Sequence, residues 1–302
     1  MPEPTLDIIY DLTLVAFHKC ISKIETLPTN KEKQKAWDSR CSVLRYLLEP
    51  YIYNHMQEKY GLMLSENWKE YIPPKKSQWA YCLVERRPHP NFWFILRNMA
   101  WAAPQMSVYI FCSDENESFI RTLLGNKAEH FNIIQAFEGN PPKEQAIQEY
   151  NDFYTDYRNY EKIDAEYIMT MQMDVIIRRK LDMRMFQTDY YGNPWAWNSK
   201  APGGGGASVR YIPKMIELCK RFRSDPDSEK CTIPEDGWMN KYILETESTF
   251  PHLEMRATVF MESFYIDNPY VVHQSWSFCD SLILDGKESF IEANKKIYSL
   301  EI

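Results

Sequence analysis

An aspartate closes a strongly apolar run in the second half of the chain. Tyr167 to Ile177 is apolar nearly throughout, and its central part, Ile168 to Asp174, reads as one strand. On such a strand Ile168, Thr170, Gln172 and Asp174 share one face, and Met169, Met171 and Met173 share the other. A carboxylate buried alone is costly, so Asp174 needs a cationic partner. A divalent cation is one, because carboxylate oxygen suits Mg²⁺ or Mn²⁺. Arg178 or Arg179 is the other. His273 follows Asn268-Pro269-Tyr270. Its imidazole nitrogen could complete a carboxylate–metal site, and a structural histidine is the alternative.

Three further segments carry possible chemistry. Tyr81-Cys82-Leu83-Val84 runs into Glu85-Arg86-Arg87-Pro88-His89-Pro90, where Arg86 and Arg87 could fork onto the oxygens of a diphosphate. A solvated loop is the competing reading. The tract Gly203 to Gly206 reads as a loop that lets a ligand approach the backbone and frees N–H groups for oxygen contacts. It lacks the Gly-Lys-Ser/Thr ending of a Walker loop. Pro234-Glu235-Asp236 opens an amphipathic helix with Trp238, Met239, Tyr242 and Ile243. Acids in a first turn are ordinary helix-start signals. The chemical reading makes Asp236 a general base that takes the proton of an attacking hydroxyl, with Glu235 as the substitute.

These segments need a scaffold, and the chain is long enough for one. Its 302 residues, 44% hydrophobic, can bury a sizeable core. The formal charge is −7 without a basic block, which argues against a nucleic-acid partner. Seven cysteines without a C-x-x-C pair disfavour a disulfide framework or structural zinc and fit a reducing compartment. Ile8 to Phe17 is interrupted by Asp11 and is too short to span a bilayer, so a soluble cytoplasmic protein is expected. Residues 1–75 read as helical, broken at Pro28 and Asn30 and closed by Pro73-Pro74. From Trp79 strands and helices alternate. Strands are expected at Ala80 to Val84, Ser107 to Cys112 and Phe131 to Phe137. Helices are expected at Phe92 to Trp101, Phe119 to Leu124 and Pro142 to about Tyr160, and another opens at Pro213. This alternation implies a largely parallel sheet with both faces covered, whose ligands bind beyond the strands' carboxyl ends. Asp189 to Trp197 reads as a turn in which Trp195 and Trp197 form either a sugar platform or packed core.

Taken together, the motifs resemble a poorly characterised glycosyltransferase-like family of large DNA viruses, fungi and bacteria, known mainly as a domain of unknown function. The segments that carry the resemblance are Glu85 to Pro90, Met171 to Asp174, Asp189 to Trp195, Gly204 to Arg210, Pro234 to Asp236 and Asn268 to His273. The resemblance covers about Trp79 to Asp280. It implies a GT-A-like α/β fold, mixed but mainly parallel, flanked by helices, at residues 76–302 behind an N-terminal helical extension at 1–75. It further implies a nucleotide-sugar transferase; the expected reaction moves a sugar from a nucleoside-diphosphate sugar to a glycan or protein acceptor, neither the sugar nor the acceptor following from the resemblance. By matching positions Asp174 and His273 would hold Mn²⁺ or Mg²⁺, Gly204, Gly205 and Gly206 would line the sugar site, and Asp236 would be the base of an inverting reaction. Gln172 stands where such transferases usually carry the first aspartate of Asp-x-Asp, which places metal dependence in question. The competing classes are a non-catalytic glycan-binding or virion-associated protein on a decayed transferase fold, and an unrelated nucleotide-binding α/β enzyme.

Overall fold

The computed structural model describes residues 5–302. Two helices open it, α1 (Leu6–Thr26) and α2 (Asn30–Glu70). The Thr29 side chain caps α2 by accepting from the Glu32 N–H, and the helix continues through Pro50 for 41 residues. Alternation follows: β1 (Trp79–Val84), α3 (Phe92–Ala102), β2 (Ser107–Ser113), α4 (Asp114–Leu124), β3 (Asn132–Phe137), α5 (Lys143–Tyr154), α6 (Tyr157–Glu161) and β4 (Tyr167–Met171). Then come β5 (Val175–Ile177), β6 (Tyr190–Asn193), β7 (Gly204–Tyr211), α7 (Ile212–Phe222), α8 (Glu235–Leu244), α9 (Leu253–Val259), β8 (Phe260–Met261) and β9 (Val271–His273). Three short helices finish the chain, α10 (Ser275–Phe278), α11 (Ser281–Leu284) and α12 (Lys287–Ile297).

The main sheet has the order β3-β2-β1-β4-β7-β6. Its first four strands are parallel, and β7 and β6 are antiparallel to their neighbours. Side chains alternate between two cores as the strand period requires. Tyr81, Leu83, Val108, Ile110, Met169 and Met171 face a cluster shared with α2 and α3. Ala80, Cys82, Tyr109, Phe111 and Ile168 face a second cluster with α5 to α8. The fold is therefore mixed α/β with a mostly parallel sheet flanked by helices, and an N-terminal helical region packs on it. Leu44, Leu48, Ile52, Met56 and Leu64 of α2 are buried in the same cluster as the sheet. Among the described residues no helix is long and apolar enough to cross a membrane.

Local chemistry explains where the structure departs from the periodicity. α4 begins at Asp114, ahead of Phe119, because Ser113 and Asn116 form a reciprocal capping box. The long helix expected to reach Tyr160 is interrupted after Tyr154, where the Asp156 side chain caps α6 by accepting from the Arg158 N–H at 2.9 Å. Ile168 to Asp174 is not one strand. β4 stops at Met171, and Gln172 to Asp174 turn, with the Val175 N–H returning to the Gln172 carbonyl at 3.3 Å. The glycine tract is a loop only at Gly203, φ 116°; Gly204 to Gly206 open β7. Asp189 to Trp197 is not all turn, since Tyr190–Asn193 forms β6.

The departure at Asp174 starts a second sheet, β5-β9-β8, in which Val175 pairs with His273. The other edge of β5 is covered by side chains, Tyr53 of α2 donating to the Val175 carbonyl at 3.4 Å. Asn98 of α3, fully buried, donates to the Ile177 carbonyl at 2.7 Å and accepts its N–H at 2.8 Å. Asn98→Ala leaves both backbone groups unsatisfied at ~1–3 kcal/mol each, so unfolding in urea is expected to lose roughly 2–5 kcal/mol. A loss below about 1 kcal/mol would mean that water or a shifted strand replaces the amide.

Candidate active site

The strand order reverses between β1 and β4, since β2 and β3 lie on one side of β1 and β4 on the other. A crevice opens at such a point beyond the carboxyl ends of the strands. Here it is a cleft of about 520 Å³ lined by residues that follow β1, β3 and β4, with Arg45 of α2 and Lys143, Ile147 and Tyr150 of α5. Arg86, Arg87, Gln172 and Asp174 all line it.

The loop after β1 is held in a defined shape. Asn116 donates to the carbonyls of Glu85 and Arg87, Ser113 donates to that of Arg86, and the Glu85 carboxylate accepts the N–H groups of Arg86 and Arg87. Both guanidiniums meet carboxylates, Arg86 with Glu149 at 2.5 Å and Arg87 with Glu85 at 2.9 Å. Arg86 also lies over the Phe137 ring, and its Nη1 is buried without a partner. Such a donor is expensive to leave unpaired.

Asp174 is 1% exposed, and cations converge on it. Arg45 reaches its Oδ2 at 2.9 Å and Gln274 donates to the same oxygen at 2.5 Å. His273 Nε2 lies 3.3 Å from Oδ1, an ion-pair distance without hydrogen-bond alignment. The alternative partners are engaged elsewhere: Arg178 donates to C-terminal carbonyls and Arg179 pairs with Glu301. Burial alone would raise Asp174, but His273 and Arg45 prevail and hold it at about 2. Burial likewise disfavours the charged imidazole, and Asp174 and Glu262 outweigh it, raising His273 to about 10. The ring faces Glu262 through Nδ1 at 3.1 Å and Gln172 Oε1 through Nε2 at 3.1 Å. Gln172 in turn donates to the Tyr150 hydroxyl at 2.9 Å. Charges therefore alternate along Arg45, Asp174, His273 and Glu262.

The glycines make room for this chain of charges. A Cβ at Gly206 would strike the His273 ring, one at Gly205 the Glu235 carboxylate, and one at Gly204 both Glu262 and Trp195. Asp236 does not line the cleft. Its carboxylate accepts from the N–H groups of Gly237, at 2.7 Å, and Gly205, and it feels the charge of His273. Burial raises its pKa against those contacts. Glu235 is committed elsewhere, because both its oxygens lie within 3.1 Å of the buried Arg210 guanidinium. It therefore positions Arg210 rather than serving as a free base.

Four contributors escaped the sequence reading. Arg45 and Glu49, which holds the Arg45 guanidinium at 2.7 Å, sit on an amphipathic helix that carries no chemical signal. Gln274 reaches Asp174 only because its backbone is left-handed, φ 45°. Glu262 was discoverable, since it ends the apolar run Val259-Phe260-Met261 just as Asp174 ends its own.

A divalent ion can be tested against this donor set. Donors bound at about 2.1 Å to one ion stand about 3.0–3.4 Å apart, and His273 Nε2 and Asp174 Oδ1 are 3.3 Å apart. The carboxylate behind Nδ1 is the usual support of a metal-bound histidine. Among the described residues no group of three or more His, Cys, Asp or Glu side chains is arranged to hold a metal. Asp174 and His273 would offer an ion two ligands at most, leaving the rest of its shell to oxygens from elsewhere.

Residues 135–277 match the sequence model of a family described as a protein of unknown function (DUF5672). That segment contains Gln172, Asp174, the glycines, Asp236, Glu262 and His273, and excludes Arg45, Arg86 and Arg87. No curated protein matches the chain. Among solved structures, mouse xyloside xylosyltransferase 1 in its apo form aligns over 67% of this chain and 97% of its own, with 8% identity and a TM-score of 0.44. The 4-diphosphocytidyl-2C-methyl-D-erythritol synthase of Anaerococcus prevotii DSM 20548 aligns over 74% of this chain and 96% of its own, with 8% identity and a TM-score of 0.37.

Burial, opposed by Arg210, raises Glu235 to about 7 from the ordinary 4.5. A carboxyl with a raised folded pKa stabilises fully below its unfolded pKa, and that contribution is lost as pH rises through the folded one. The uncharged Glu235→Gln variant lacks this loss. Its melting temperature relative to the parent is expected to rise steadily between pH 4.5 and 8, and a flat difference would refute the raised pKa.

Proposed function

We propose that this chain is a glycosyltransferase that moves a sugar from a nucleoside-diphosphate sugar to a hydroxyl acceptor. One observation carries the reading. At the strand-order reversal, a cleft lined by Arg45, Arg86, Arg87 and Lys143 adjoins the buried Asp174–His273 pair. A diphosphate brings negative charge and many acceptor oxygens, and guanidiniums answer both. Phosphate oxygens would satisfy Arg86 Nη1 and would compete with Glu149 and Glu85 for the two arginines.

In this reading the acceptor oxygen attacks the anomeric carbon while the bond from that carbon to the diphosphate oxygen breaks. The acceptor proton passes to Asp236. Its raised pKa makes it a stronger base than an exposed aspartate. Asp174 and His273, the latter only after releasing the proton that Asp174 and Glu262 hold on it, would bind a divalent ion, which would offset charge on the leaving diphosphate. Gly204 to Gly206 would let the sugar lie against the backbone. Buried free thiols at Cys82, Cys112 and Cys219 fit a reducing compartment such as the cytoplasm.

Two measurements test this. Nucleoside diphosphates, screened by thermal shift with Mn²⁺ and with EDTA, are expected to raise the melting temperature by mass action. Arg87→Ala should weaken that binding about tenfold, and Asp174→Ala should abolish its Mn²⁺ dependence. Donor affinity that is the same in EDTA would instead assign the diphosphate charge to Arg45, Arg86 and Arg87 alone, and absence of any nucleotide effect would remove the donor site.

Asp236→Asn retains an oxygen for the Gly205 and Gly237 N–H groups but removes the base. Near-normal melting and donor affinity are expected, with transfer reduced ~10²–10⁴-fold. A variant that transfers at the parent rate would leave Asp236 as a helix-start acid.

A further inference from the structure

The segment after β6 carries a tryptophan that the fold does not use. Trp197 is 64% exposed, and its ring stacks on Trp195 with centroids 5.7 Å apart and planes 20° apart. Trp195 is itself fixed beside the active site, since its indole nitrogen lies where a Cβ on Gly204 would fall. The backbone around the pair is over-determined. The Ala196 N–H donates to Ser263 Oγ at 2.7 Å, and Ser263 donates to the Pro194 carbonyl at 3.2 Å. Arg256, 1% exposed, donates to the carbonyls of Ser199, Ala201 and Pro202. A rigid turn that holds a large apolar ring in water serves no packing purpose, and a preorganised platform loses little entropy when it binds.

Trp197 lines a second, open cavity of about 780 Å³, together with Trp37 and Asp38 of α2, Phe264 and Asp280. This cavity is joined to the catalytic cluster by chain continuity. Glu262 binds His273, and the next two residues, Ser263 and Phe264, line the cavity. Flat aromatic faces beside carboxylates and hydroxyls match the chemistry of a pyranose, with an apolar C–H face and a rim of hydroxyl donors. Asp280 is paired with the buried Arg40, which also covers one face of Trp37, so Asp38 is the carboxylate of the lining without a cationic partner among the described residues.

We propose that the cavity beneath Trp197 is a binding site for the non-reducing end of a neutral oligosaccharide, which serves as the acceptor. The acceptor role rests on the transferase reading above, whereas saccharide binding stands apart from it. The C–H face of one sugar ring stacks on Trp197, and Asp38 and Asp280 accept hydrogen bonds from ring hydroxyls.

The test uses the full chain, labelled with a fluorophore, on an array of neutral and acidic oligosaccharides, with Trp197→Ala and Trp197→Phe beside the parent. Neutral oligosaccharides are expected to bind. Trp197→Ala should lose at least about tenfold in affinity, while Trp197→Phe retains most of it. Both variants should melt as the parent does, because the ring is exposed, and should keep its affinity for nucleoside diphosphates. Failure of every oligosaccharide to bind, or equal binding by Trp197→Ala, overturns the site even where nucleotide binding holds. Saccharide binding that depends on Trp197 without any nucleotide effect supports the site and overturns the transferase reading.

Discussion

A buried, ionised carboxylate sets the constraint around which this molecule is arranged. Asp174 has almost no contact with water, and an uncompensated charge there would cost several kcal/mol. Two segments far apart in sequence relieve it: Arg45 from α2, and the adjacent His273 and Gln274 at the end of β9, the second in a left-handed turn. Each brings a demand of its own. The protonated imidazole requires Glu262, and the ring requires a strand without side chains beneath it, which Gly206 provides. Arg45 requires α2 to lie against the sheet, which the apolar face of that helix secures.

The same constraint explains why the N-terminal helices matter to the site. α2 contributes Arg45 to one cavity and Trp37 and Asp38 to the other. It forms part of the wall of both and shares a core with the parallel strands. One of these cavities is lined by Arg45, Arg86, Arg87 and Asp174, the other by aromatic and acidic side chains that include Phe264, two residues after Glu262.

Burial also divides the acidic residues by role. Glu235 and Asp236 are neighbours in sequence with similar chemistry. Helical geometry sends one to Arg210 and the other to the Gly205 N–H. Asp236 is left without a cationic partner in contact, feeling Arg210 and His273 only at a distance.

Much of this was legible in the residues alone. Near-continuous apolar runs marked β1, β2 and β4, because a strand buried on both faces carries apolar residues at nearly every position. The need of Asp174 for a cation followed from its place at the end of such a run, and the helix starts followed from Pro213 and Pro234. What residue types leave open is which cation, and which carboxylate is free. Arg178 and Arg179 are nearest to Asp174 in sequence, yet the chain carries both to the C-terminal segment, while Arg45 arrives from 129 positions away. The glycine tract reads as flexible because glycine permits flexibility; antiparallel pairing with β4 and β6 makes it a strand, and the side chains pressed against it explain its composition. Local sequence determined the elements because hydrogen bonding and apolar periodicity act over a few residues. The site was decided by tertiary structure, because compensating a buried charge is a matter of distance in space and not along the chain.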